Sequence, residues 1–243
     1  MKIKFISFDF WNTLFEGKGP DHDIRENKRL TIINNFLETL GYNFDKKTLI
    51  QKTNETWEYF VDIWENEERT LTTKEILQHL FSKLKVEEIK NLDHLIKKIS
   101  NLILKYPPSL TEDILYDLIP RLSKNYKLFI ISDTALTSGK YLKNILANHN
   151  LLKYFDNFSF SDEIGRSKPH RLMFLNVLGN SKNIKHLLHI GDIGRTDIKG
   201  AKKIGASAIR YKMYNDEPLS SYNADFVMKS WEDFPELLDK IQK

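Results

Sequence analysis

Apolar positions change their period twice along the 243-residue chain. Residues 3–8 (IKFISF) form a short run rich in Ile and Phe, which predicts a buried strand. From about Asp23 to Lys105 the spacing shifts to steps of three and four. Ile32, Ile33, Phe36, Leu37 and Leu40 form one such set; Trp57, Phe60, Val61 and Trp64 form a second; Ile76, Leu77, Leu80, Phe81 and Leu84 form a third. These sets predict amphipathic helices, and no alternating β-branched run separates them. Gly41 reads as a helix stop, and Thr72-Thr73 ahead of Lys74-Glu75 as a helix start. Trp57, Phe60 and Trp64 read as the core of this helical segment, and Glu65–Arg69 as a solvated turn.

Pro107-Pro108 ends the helical stretch. Strands and helices then alternate: helix 111–124, strand 127–132 (KLFIIS), helix 137–148, a short strand near 157–160, helix 170–178, strand 186–191 (HLLHIG), helix 196–204, strand 207–211, a short strand near 225–228 and helix 231–241. Such alternation predicts a parallel sheet covered on both faces. The strand at 3–8 has no local partner, so it joins the later sheet. One α/β core (1–15 and 108–243) thus carries an all-helical domain (16–107) inserted after the first strand.

Composition changes this picture little. Hydrophobic residues make up 41% and charged residues 29%, as in ordinary globular proteins. A net charge of +4 is too small to argue for a nucleic-acid partner or an anionic membrane surface. No stretch reads as a signal peptide or a membrane span. The chain has no Cys, which excludes disulfides, thiolate nucleophiles and Cys-ligated metal sites and fits a cytoplasmic protein. The seven His are scattered, with no pair at helical ligand spacing, and read as solvated or packed side chains.

In an open α/β sheet, ligands bind outside the carboxyl ends of the strands, so the residue after each strand is the informative one. Asp9-Phe10-Trp11-Asn12-Thr13-Leu14 follows the first strand, Ser132-Asp133 closes the second, and Gly191-Asp192 with Asp197 closes HLLHI. Ser167-Lys168-Pro169 lies between the last two. Clustered carboxylates repel one another unless a cation sits among them, and hard oxygen ligands suit Mg²⁺. Lysine and hydroxyl groups beside that cation can hold a phosphoryl group, and a free carboxylate can attack it to give an aspartyl-phosphate.

These four pieces, in this order, resemble the motifs of the haloacid dehalogenase (HAD)-like hydrolase superfamily, in the subclass with a helical C1 cap. The resemblance spans the whole α/β portion and implies a Rossmann-like parallel sheet core under the inserted cap. It implies Asp9 as nucleophile and Mg²⁺ held by Asp9, Asp192 and the Trp11 carbonyl, with Asp197 supporting the metal or its waters. Ser132 and Lys168 would bind the phosphoryl group, and Thr13 would steady the loop after the nucleophile. The implied activity is a Mg²⁺-dependent phosphatase acting on a small phosphorylated metabolite. Substrate identity and oligomeric state stay open.

Trp11 departs from the family pattern, which usually has a second Asp there to protonate the leaving oxygen and activate water. Indole does neither, and general acid–base help is worth ~10²–10⁴ in rate. Three readings follow: a leaving group acidic enough to need no proton, another proton donor such as Asp133, or a different reaction. The 2-haloacid dehalogenases of the superfamily also have an aromatic residue there and need no metal, so a dehalogenase is one alternative. A catalytically weak phosphate-binding relative is the other. The intact Gly191-Asp192 and Asp197 favour the phosphatase, and Arg25, Arg29 and Arg69 match no dehalogenase substrate grip. Asn12 replaces the usual Gly, a position where Asn tolerates left-handed backbone.

Overall fold

The computed structural model describes residues 2–87, 89–179, 181–214 and 222–243. Residues 1, 88, 180 and 215–221 lie outside the described residues. Six strands, β1 (Phe5–Phe8), β2 (Lys127–Ser132), β3 (Asn157–Phe160), β4 (Leu187–Gly191), β5 (Ser207–Tyr211) and β6 (Phe226–Met228), form one sheet. Their order is β3-β2-β1-β4-β5-β6, and every pairing is parallel. β1 is flanked by β2 and β4, which explains its near-continuous apolar sequence: both faces are buried.

Strand alternation divides the core into two layers. Ile6 and Phe8, Leu128 and Ile130, and Leu188 and Ile190 point to one face, where α6 (Leu115–Ser123), α7 (Gly139–Asn148) and α11 (Phe234–Gln242) bury Ile119, Ile145 and Phe234. Phe129, Ile131 and Leu187 point to the other, against Met173 and Phe174 of α9 (Arg171–Leu178) and Ala201 of α10 (Lys199–Lys203). This is a doubly wound α/β core, and its switch in strand order falls at β1 and β4. No helix among the described residues is long and apolar enough to cross a membrane.

Between β1 and β2 lie α1 (Pro20–Thr39), α2 (Lys46–Glu67), α3 (Thr73–Lys83), α4 (Leu92–Ser100) and α5 (Leu102–Lys105). Their boundaries follow local chemistry. Gly41 takes φ 86° just after α1, where a side chain would be strained. Thr72 and Glu75 close a reciprocal capping box at the start of α3. Ile33, Leu37, Leu77, Leu80, Phe81, Leu95 and Ile99 form a hydrophobic cluster of their own.

Two expectations for this segment need correction. Residues 65–67 are not a solvated turn but the last turn of α2, and Glu68 ends it in the left-handed region at φ 48°. The end of α2 is tied to the loop before Arg171–Leu178: the Glu68 carbonyl accepts from the Ser167 N–H at 2.8 Å. Trp57 is not a core residue; it is 48% exposed and stacks on buried Phe60. The elements at 111–124, 196–204 and 231–241 also begin differently. α6 starts only at Leu115, Gly194–Ile198 is a π-helical turn ahead of α10, and a 3₁₀ turn, Trp231–Asp233, precedes α11.

Candidate active site

Asp9 leaves β1 while still in the ladder, its N–H donating to the Ile190 carbonyl at 2.8 Å. The chain then turns sharply. Asn12 takes φ 55°, and its Oδ1 accepts from the Gly17 N–H at 3.0 Å, so the left-handed turn expected of this Asn is present. Phe10 and Phe15 stack beneath at 4.6 Å, and the Thr13 carbonyl accepts from Thr111 Oγ1 and Trp231 Nε1. Thr13 Oγ1 is buried without a partner among the described residues. The loop is therefore anchored through the Thr13 backbone.

Lys168 reaches the same point from the loop before α9. Its Nζ donates to Asp9 Oδ1 and to Asp197 Oδ1, each at 2.6 Å, with all three side chains almost fully buried. Asp197 is fixed from two further directions. Its Oδ2 accepts from the Ile193 N–H at 3.0 Å, and His189 Nε2 lies 3.1 Å from its Oδ1. The π-helical turn is what swings Asp197 back over the end of β4. One oxygen each from Asp9, Asp192 and Asp197 lie within 4.8 Å of one another. Asp192 Oδ2 is buried with no hydrogen-bond partner among the described residues.

Gly191 makes this packing possible. A Cβ there would overlap the Asp197 carboxylate carbon. Gly191→Ala is thus expected to displace Asp197 and lower stability by about 1–3 kcal/mol, read as a drop in the urea midpoint at constant m.

The inserted helices close the site from above. Trp64 Nε1 donates to Asp133 Oδ2 at 2.9 Å, while Asp133 Oδ1 accepts from the Lys168 N–H at 2.9 Å. The Arg195 guanidinium stacks 3.9 Å from the Trp64 ring and pairs with Glu65 at 3.1 Å. A cavity of about 610 Å³ lies between helices and sheet. Asp9, Trp11, Asp133, Lys168 and Asp192 line its sheet end. Ser132 is fully buried behind that wall, its Oγ donating to the Asp133 carbonyl at 3.3 Å, and Thr13 and Asp197 likewise do not line the cavity.

A sequence model of the haloacid dehalogenase-like hydrolases matches residues 44–211, more than half of the chain. The chain belongs to that family. Solved structures with the same fold include the 2-haloacid dehalogenase of Pseudomonas syringae pv. Tomato DC3000 (TM-score 0.70, 18% identity, covering 98% of this chain and 99% of that one). YfnB of Bacillus subtilis, a proposed HAD hydrolase bound to magnesium, gives a TM-score of 0.65 at 18% identity, over 98% of this chain and 100% of that one. A HAD phosphatase of Thermococcus onnurineus gives 0.63 at 18% identity, over 97% and 98%. At these identities the likeness is one of fold, and it includes both phosphatase and dehalogenase.

Electrostatics sort the acids of this HAD-like hydrolase. Burial pushes Asp192 well above the ordinary carboxylate range, and the charges of Asp9 and Asp197 push it further. Burial also raises Asp9, although Lys168 opposes the rise. Asp197, equally buried, is held far below the usual range by Lys168 and His189. Burial alone would depress Lys168; Asp197 and Asp9 instead hold it above an ordinary lysine. The arrangement therefore contains a permanent cation, a permanent anion, and two carboxylates whose ionisation is costly without a further positive charge. Burial raises Asp133 as well, to about 6.

Sequence reasoning missed two supports. Ser7 and His189 are register partners on β1 and β4, with Ser7 Oγ 2.8 Å from His189 Nδ1, and this pair continues the chain of contacts to Asp197. The signal was available, since each interrupts an apolar central strand two residues before Asp9 or Gly191. Arg210 Nε donates to the Asp192 carbonyl at 3.2 Å from neighbouring β5, a link with no local signature.

Proposed function

We propose that this HAD-like hydrolase is a Mg²⁺-dependent phosphohydrolase that acts on a phosphorylated metabolite through an aspartyl-phosphate at Asp9. The observation that carries this reading is Asp192. Its Oδ2 is buried with no hydrogen-bond partner among the described residues, and one of its oxygens sits within 4.8 Å of oxygens from two other buried carboxylates. An all-oxygen donor set of this kind fits a hard divalent cation. The Trp11 carbonyl, two residues after Asp9 and with no backbone donor to it among the described residues, would supply a further oxygen. Asp9, Asp192 and the Trp11 carbonyl would hold Mg²⁺, with Asp197 behind them. When bound, the ion neutralises charge on the transferring phosphoryl group.

The rest falls to the chain's own residues. Lys168, held by its backbone to Asp133, lowers the cost of ionising Asp9 and would face the phosphoryl oxygens. Asp9 attacks phosphorus as the ester oxygen departs, and water then cleaves the acyl phosphate to restore the carboxylate. His189 and the Ile193 N–H keep Asp197 aligned on Lys168. Both Asp133 oxygens already accept hydrogen bonds, so we assign it to positioning Lys168 rather than to donating a proton. With Trp11 unable to act as an acid, acidic leaving groups, as in aryl or acyl phosphates, suit the site best.

The test is 4-nitrophenyl phosphate, whose leaving group needs no proton. Turnover that appears with Mg²⁺ and vanishes with EDTA is expected. A second reading, metal-independent 2-haloacid dehalogenation, is favoured by the aromatic Trp11 alone. Release of halide from 2-chloropropionate in EDTA, with no phosphate release under any condition, would establish it and overturn the first.

A further inference from the structure

Lys168 is tied to the acids by its side chain and to the inserted helices by its backbone. Consecutive residues of its loop meet the end of α2. The Ser167 N–H donates to the Glu68 carbonyl at 2.8 Å, and Arg166 Nη1 approaches the Glu67 carbonyl at 3.5 Å. The Lys168 N–H makes its link through Asp133: one carboxylate oxygen accepts from it at 2.9 Å, and the other accepts from Trp64 Nε1 at 2.9 Å. Trp64 is held in turn. Its ring packs on one apolar cluster with Phe60 and Ile63 of α2 and with Ala135 and Leu136 of the loop after β2. The Arg195 guanidinium covers the ring and pairs with Glu65, the next residue along. Burial makes charge on Asp133 costly, and the Lys168 charge and these two N–H groups offset that cost. A carboxylate that accepts once from the inserted helices and once from the core cannot turn toward one partner without losing the other. A lysine stem has four flexible carbons, so its ammonium group is placed only as well as the backbone that carries it.

We propose that Trp64 is a positioning residue for Lys168: acting through Asp133, it fixes the backbone from which the ammonium group reaches Asp9, so that a side chain of the inserted helices governs the charge beside the nucleophile. Arg195, stacked on the indole, keeps its N–H aimed at Asp133. The kinetic consequence rests on the phosphohydrolase reading, whereas the relay from Trp64 to the Lys168 backbone holds for whatever reaction Asp9 performs.

The experiment has a kinetic arm and an arm that needs no turnover. With 4-nitrophenyl phosphate at saturating Mg²⁺, Trp64→Phe is expected to lower kcat about 10- to 100-fold, as a small misplacement of a reacting group does. KM should change by less than about threefold, because the contact acts on the transition state rather than on substrate binding. A loss carried by KM alone would make Trp64 a wall of the cavity and overturn the inference. In an Asp133→Ala background the same substitution should cost less than about twofold, since the relay is already broken. Equal losses in the two backgrounds would overturn it as well. Thr73→Val removes a different link between helices and core, from Thr73 Oγ1 to the Ala135 carbonyl at 3.2 Å, and should keep the wild-type kcat. A loss there as large as in Trp64→Phe would show that docking in general, not the relay, is what matters. Arg195→Gln keeps the indole donor but uncovers the ring, and should give a smaller loss of kcat; it carries the test if Trp64→Phe does not fold, as thermal midpoints will show. The second arm is amide hydrogen exchange followed by NMR on the protein without substrate. Trp64→Phe should speed exchange at Lys168 about tenfold more than at Ile130 in β2, and Thr73→Val should not. That result supports the relay even if no phosphate ester is turned over, and unchanged exchange at Lys168 rejects it.

Discussion

Asp9→Asn is expected to reduce 4-nitrophenyl phosphate turnover by about 10⁴-fold or more while the protein stays folded and becomes no less stable. The rate loss follows from the chemistry proposed for this residue: an amide is too weak a nucleophile to open the covalent route. The stability expectation follows from its surroundings. Asp9 is buried beside Asp192 and Asp197, and its net shift is upward, so the folded state disfavours its charge. Asn removes that charge at nearly constant shape, and Lys168 keeps its 2.6 Å partner Asp197. A drop in turnover with an unchanged or higher thermal midpoint is therefore predicted. Turnover retained at the wild-type level would show that Asp9 is not the nucleophile.

Lys168→Met has the opposite balance. It removes the one lysine lying among three buried carboxylates, and breaking a buried ion pair from one side typically costs about 3–5 kcal/mol. The loss should depend on pH with a definite sign. Without Lys168, the folded-state pKa values of Asp9, Asp192 and Asp197 all move up. A raised carboxyl pKa gives stability that is present at low pH and lost as the pH rises through the folded-state value. The deficit relative to wild type is thus largest near neutrality and shrinks toward pH 5. Urea unfolding at pH 5 and pH 7.5 measures this, and an equal deficit at both would show that the carboxylates do not carry the penalty. Mg²⁺ should recover more stability in Lys168→Met than in wild type, because the added charge replaces part of what was lost.

Much of the core was readable because its physics is local. KLFIIS is buried on both faces of a parallel sheet, and a continuous apolar run bounded by polar residues has few other uses. The acids at strand ends were readable for a similar reason, since parallel topology sends those ends to one edge. The inserted helices were harder. Arg25 and Arg29 sit on an α1 whose polar and apolar residues are poorly segregated, so nothing in the spacing marked them as facing inward. Glu65 and Glu68 look like surface charge until Arg195 and the Ser167 N–H, more than 90 residues away in sequence, are placed against them. The Ser7–His189 pair needed strand register, which periodicity alone does not supply.

The placement of the aromatic residues has a practical consequence. Of the four tryptophans, Trp11, Trp57 and Trp64 face the cavity, while Trp231 is sealed in the core. Trp64 is hydrogen-bonded to a carboxylate and stacked under a guanidinium, two contacts that tie its emission to the position of α2 over the sheet. Trp231 supplies a constant background. The protein therefore carries its own optical reporter: intrinsic fluorescence should register whatever enters the cavity, and the opening of the helices above it, without a dye or a label.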